Sequence, residues 1–155
     1  MKKIFLFFLI GAIAPLMAQK KDYRWTIDVS YLKQGSTYGQ IGLHYNYYET
    51  DRFVLLAGLA GNFRSENKQF IAIPEAQLSA WLQTDKQQSG LINLPILMLR
   101  PQLNLSPYYF APEIGFQILV LYLKAGYAFP FGRENTNYPF NENKFRFSVG
   151  IIFPI

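Results

Sequence analysis

Cysteine is absent from all 155 residues, and histidine occurs once, at His44. Without cysteine the chain has no disulfide framework, the usual support of small secreted domains. It also has no thiol to carry the lipid of a lipid-anchored precursor. One histidine excludes a multi-histidine metal centre, and the acidic residues do not cluster at ligand spacing, so no metal and no cofactor is expected. A glycine-rich phosphate loop is missing too. Charged residues make up only 16% and the net charge is +5, far from a nucleic-acid footprint, so no nucleic-acid partner is expected. No apolar run reaches the roughly 20 residues of a membrane-spanning helix. Internal repeats, low-complexity linkers and helical periodicity beyond the first residues are all lacking. Aromatic residues, by contrast, reach 17%, which with so few charges argues against disorder.

The amino terminus has the layout of a secretory signal peptide over residues 1–18. Lys2 and Lys3 form a positive start, Ile4 to Leu16 is apolar apart from Gly11 and Pro15, and Ala18 followed by Gln19 offers a cleavage point. Leu16 is large for the position three before the cut, which leaves an uncleaved anchor as the alternative. Cleavage would leave one domain, residues 19–155, with 13 basic and 10 acidic residues, a net of +3.

Period-2 alternation runs through the rest of the chain. Phe145, Phe147, Val149, Ile151 and Phe153 alternate with Lys144, Arg146, Ser148, Gly150 and Ile152. Ile41, Leu43, Tyr45 and Tyr47 alternate with Gln40, Gly42, His44 and Asn46. Turn-forming clusters fall at 33–36, 49–51, 65–68, 84–90, 104–107 and 132–143. The reading is eight strands, near 24–33, 37–48, 52–64, 69–83, 90–101, 107–117, 119–131 and 144–154. No turn residue separates the sixth and seventh at Ile118 and Leu119.

Several of these strands run about ten residues or longer, as a membrane-crossing strand requires. Strands can cross lipid only as a closed barrel, because every backbone group must be paired internally. A soluble barrel or sandwich would also alternate, so the discriminator is which face is bulky. Here the apolar face is large and aromatic, while the other is small or charged, with Gly42, Gly58, Ala60, Gly115, Gly126 and Gly150. A narrow eight-stranded interior needs such residues. The expected fold class is all-β, a transmembrane antiparallel up-and-down β-barrel of eight strands.

The segment Leu91-Ile92-Asn93-Leu94-Pro95-Ile96-Leu97-Met98-Leu99-Arg100, followed by Tyr108-Tyr109-Phe110-Ala111-Pro112-Glu113-Ile114-Gly115-Phe116, resembles the PorT-like outer-membrane β-barrel domains of Bacteroidota. Tyr122 to Tyr127 and the closing Phe145 to Phe153 strand are similar to that family as well. The resemblance spans roughly residues 90–155. It implies a barrel in a bacterial outer membrane and no catalytic residues. Pro112 stands where the family has glycine, so a kink in the sixth strand is expected.

Two groups of candidate site residues follow. Asp28, His44, Glu75, Gln77, Glu113 and Lys124 fall on polar faces, and they are expected to pair in the lumen, with Tyr122 as a further partner. Eight strands leave room only for side chains, so the lumen is expected to be plugged. That assignment counts three acids against one base inside. Lys33, Arg64, Lys68, Arg100, Arg133, Lys144 and Arg146 are expected at one rim against Glu66, Glu134 and Glu142, an excess of +4. Such a rim suits lipopolysaccharide phosphates, so outer-membrane lipids and lipopolysaccharide are the expected partners. The aromatic last strand suits the barrel insertion machinery, a further expected partner. The expected function is a non-enzymatic barrel with a structural, surface or lipid-binding role. The alternative is a barrel-type lipid hydrolase using His44 as base, with Ser30 or Ser79 as nucleophile.

Overall fold

The protein is described by a computed structural model over residues 25–50, 53–66, 69–83, 97–132 and 142–155. The proposed signal peptide, Lys68, Arg133 and the segment 84–96 lie outside the described residues. Within them the chain is all-β. The strands are β1 (Trp25–Gln34), β2 (Ser36–Thr50), β3 (Phe53–Glu66), β4 (Gln69–Gln83), β5 (Met98–Leu99), β6 (Gln102–Leu105), β7 (Tyr109–Ile118), β8 (Leu121–Pro130) and β9 (Lys144–Pro154). All pairings are antiparallel, and β9 pairs with β1, closing the sheet into a barrel.

β5 and β6 are two parts of one barrel strand, so the barrel has eight. Leu82 pairs with Leu99 and Ser79 with Gln102, so the register passes unbroken through Arg100 and Pro101. Arg100 exchanges both backbone hydrogen bonds with Gly115, at 2.8 and 3.1 Å, and Ala80 N–H donates to the Pro101 carbonyl. The ladder lapses only because Pro101 has no N–H to return. This corrects the expected turn over 104–107. The strand continues to Leu105, with Gln102 and Asn104 facing in, and the chain turns at Ser106 to Tyr108. At Pro112, where a kink is expected, the ladder lapses but the register does not shift. Phe110–Phe129 and Glu113–Gly126 hold the same register on either side of it, so the strand loses ladder bonds without a bulge.

The join at Ile118 is a two-residue turn. Ile118 pairs with Leu121, and Leu119 adopts a φ of +54°, which leucine visits at a cost. Ile155 N–H donates to the Trp25 carbonyl, so the last residue lies beside the first strand. That terminus end also carries the β2–β3, β4–β5 and β7–β8 connections. The opposite, loop end carries the turn at Gly35 and the β3–β4, β6–β7 and β8–β9 connections.

The ladder is staggered. From Trp25 it steps to Tyr45, Ala57, Leu78, Leu103 and Pro112. It returns through Tyr127 and Phe145, beside the Arg146–Gln34 pair at the far end of β1. Strands that close with such a stagger must tilt against the barrel axis.

The burial pattern inverts that of a soluble protein. Trp25, Ile41, Leu59, Phe110, Ile114, Phe116, Leu123, Tyr127 and Phe145 are exposed on the outer face. The inner face buries 19 polar or charged residues against 12 apolar ones among the described residues. The inward apolar residues gather mainly in one layer near the loop end: Leu32, Tyr38, Ile71, Ile73, Tyr109, Ala111 and Ala128.

Candidate functional site: the charged lumen

Alternation along each strand delivers the polar residues to the interior, and glycines make the room. A Cβ on Gly58 would stand 2.2 Å from the Leu43 carbonyl and 2.7 Å from the His44 ring. At Gly115 it would meet the Leu123 carbonyl at 2.1 Å and the Lys124 side chain at 2.6 Å. Gly42, Gly58 and Gly115 are therefore slots into which neighbouring large polar side chains fold, while at Gly126 it is the β7 backbone that comes close.

The centre of the lumen is Arg146. Its guanidinium grips Glu75 in bidentate fashion, Nη1 to Oε1 at 2.7 Å and Nη2 to Oε2 at 2.9 Å. Its Nε lies 3.1 Å from Glu113 Oε1, and Nη1 also donates to Gln34. Glu75 receives further bonds from the Tyr109 hydroxyl, Gln40 and Gln77. Glu113 Oε2 accepts from Asn104 at 2.7 Å and lies 3.7 Å from Lys124 Nζ, which donates to Gln102 at 2.8 Å. Nearer the terminus end, Asp28 Oδ2 lies 3.4 Å from Arg100 Nη2 and 3.6 Å from His44 Nδ1. His44 Nε2 bonds Gln77 Oε1 at 2.7 Å. Arg100 and Lys124 both lie over the Tyr122 ring, at 4.3 and 4.8 Å from its centroid.

All six residues expected in the lumen, Asp28, His44, Glu75, Gln77, Glu113 and Lys124, are buried there in one connected network. The rim group divides. Arg100 and Arg146 are fully buried, which corrects their expected rim position: they share the inward parity of Gln102 and Ser148, and the acids inside supply their partners. Lys33 is exposed at the loop end and Arg64 is half-buried there, over the Tyr38 ring at 5.3 Å. Lys144, also at that end, pairs with Glu142 at 2.9 Å. The correction changes the electrostatics. Among the described residues three buried acids, Asp28, Glu75 and Glu113, now face three buried bases, Arg100, Lys124 and Arg146, so with His44 neutral their charges balance. Charge balance matters because an unpaired ion in so dry a space would cost several kcal/mol.

Tyr109, Gln34, Gln40, Asn62, Gln102 and Asn104 were not read from the sequence as network members. The signal was there in strand parity: all but Gln34, which follows Lys33, alternate with apolar or small residues. Neither serine proposed as a nucleophile is hydrogen-bonded to His44. Ser30 Oγ donates to Gln40, and Ser79 Oγ to the Pro101 carbonyl. Among the described residues, no group of three potential ligands could hold a metal.

Fold and site together define a closed eight-stranded antiparallel β-barrel with a polar, charge-balanced interior. Comparison with models of known protein families, with curated proteins and with solved structures finds no match to this chain.

Proposed function

We propose that this protein is a non-enzymatic β-barrel of a bacterial outer membrane, exported by a signal peptide cleaved near Ala18. Its role is structural or one of surface lipid binding, and its lumen is a plug rather than a channel. One observation carries the reading: the barrel buries six charged side chains in its lumen and exposes a belt of large apolar and aromatic ones. In water that arrangement would strand a continuous apolar belt. In lipid the belt is solvated, the closed ladder leaves no backbone edge, and the ions keep one another company inside. The resemblance of residues 90–155 to the PorT-like domains points the same way.

The orientation we favour places the termini in the periplasm and the loop end outside, with the β8–β9 connection at the surface and the β4–β5 connection, of similar length, on the periplasmic side. Lys33, Arg64 and Lys144, with Lys68 and Arg133 from outside the described residues, then face the anionic head groups of the outer leaflet, where lipopolysaccharide phosphates are the matching ligand. The aromatic β9 is the segment that the insertion machinery would read. Membrane fractionation with a heat-modifiability gel tests the proposal. The protein is expected in the carbonate-resistant outer-membrane fraction, with the unboiled form migrating faster than the boiled one. Release by carbonate would overturn it.

A further inference from the structure

The ionic contacts of the lumen are tighter around Arg146 than around Asp28. Around Arg146 both oxygens of Glu75 and Oε2 of Glu113 accept hydrogen bonds, while Glu113 Oε1 makes an ion-pair contact with Arg146 Nε at 3.1 Å without a hydrogen bond. Towards the terminus end the contacts lengthen to 3.4 and 3.6 Å, and both converge on one oxygen of Asp28. Its other oxygen, Oδ1, has no hydrogen-bond partner in the protein. Neither do Arg100 Nη1, His44 Nδ1 and Thr26 Oγ1. These four side chains are neighbours. Thr26 is the ladder partner of His44, and Asp28 touches both His44 and Arg100. Each is at most 1% exposed.

A buried donor or acceptor left without a partner forfeits its hydration and regains nothing, so natural proteins rarely leave several together. We infer that Thr26, Asp28, His44 and Arg100 line a small internal chamber that binds a cluster of ordered water molecules. The chemistry selects the guest. Arg100 Nη1 can only donate and Asp28 Oδ1 can only accept, while Thr26 Oγ1 and His44 Nδ1 can do either. A bound anion would face Asp28, and a bound cation would face Arg100. Water satisfies both, and an internal water typically makes about three hydrogen bonds to such partners.

The chamber also gives the two ion pairs different characters. Arg146–Glu75 is a direct bidentate lock. Arg100–Asp28 is a single long contact whose spare donor and acceptor are bridged by solvent. The inference depends on the interior of the barrel alone. It stands whether or not the barrel lies in a membrane, so its failure and the failure of that reading are separable.

The test is a sign. Thr26→Val keeps the shape and removes the hydroxyl. If the chamber is hydrated, the variant strands a water and the unfolding midpoint of the full chain, refolded in detergent, falls. If the chamber is dry, the variant removes an orphan and the midpoint rises or stays level, which would overturn the inference. A crystal structure of the refolded wild-type chain decides independently. Density for water within hydrogen-bond distance of at least three of the four atoms supports the chamber, and its absence from a well-ordered lumen refutes it.

Discussion

Replacing Arg146 by methionine should be the most damaging conservative change in the barrel. Methionine retains much of the apolar stem but removes every donor. Two Glu75 oxygens lose contacts at 2.7 and 2.9 Å, and Glu113 loses one at 3.1 Å. Both carboxylates and the guanidinium are fully buried, so water cannot replace what is lost. Removing one partner of a buried pair typically costs about 3–5 kcal/mol, and here two acids share the cation, so the upper part of that range is expected. Glu75 keeps the Tyr109, Gln40 and Gln77 donors, which limits the loss. Glu75→Gln in the Arg146→Met background removes the stranded charge and should restore a substantial part of the stability. A useful contrast is Lys144→Met, which breaks the Glu142 pair at 2.9 Å; Glu142 is 79% exposed, and an exposed pair contributes at most about 1 kcal/mol. Urea unfolding of the refolded barrel, followed by tryptophan fluorescence and by the heat-modifiability gel, measures all three. The reasoning fails if Arg146→Met costs no more than Lys144→Met, or if Glu75→Gln gives no rescue.

The remaining expectations are more local. Gly58→Ala places a methyl 2.2 Å from the Leu43 carbonyl, so stability should drop by about 1–3 kcal/mol, and His44→Ala should not rescue it because the backbone clash remains. Unfolding of the two single variants and the double variant checks this. Leu119→Asn should raise stability by up to about 1 kcal/mol, since asparagine tolerates the +54° φ of the β7–β8 turn better than leucine; a destabilised variant would show that the side chain matters more than the backbone. Protease added to intact cells should cut first within 132–143, and cutting at 49–51 instead would reverse the orientation. Deleting Phe145 to Ile155 removes the strand that pairs with both β1 and β8, so the truncated chain should be degraded before insertion; normal membrane levels would contradict closure through β9.

Much of the fold was legible because a barrel strand carries its own instructions. The alternation in 40–47 and 144–153 states which side chains face in, and that parity holds along β9 and along β2 as far as the register shift at Asn46–Tyr48. The inward glycines were legible as small residues. That they are slots for particular neighbours was not, since the His44 ring reaches Gly58 only across a strand pair. Pro101 and Pro112 depend on their neighbours in the same way. A proline announces a missing N–H, but whether the strand ends, kinks or carries on depends on the strands beside it. Here both neighbours hold the register, and the chain continues.

Arg100 and Arg146 mark the boundary between the two kinds of information. By itself the sequence determined the class of structure, an all-β chain with one bulky face and one polar face, because alternation is a property of consecutive residues. It also determined that the polar face carried more acid than the bases then assigned to it. It did not determine which cations answer that charge. Arg146 lies 71 residues from Glu75, and Arg100 lies 72 residues from Asp28. Those pairs exist only because closure of the sheet sets β9 and β5 across a narrow lumen from β4 and β1. Only the tertiary structure could decide that, because an ion chooses its partner by distance through space and by the cost of remaining unpaired in a space that excludes water.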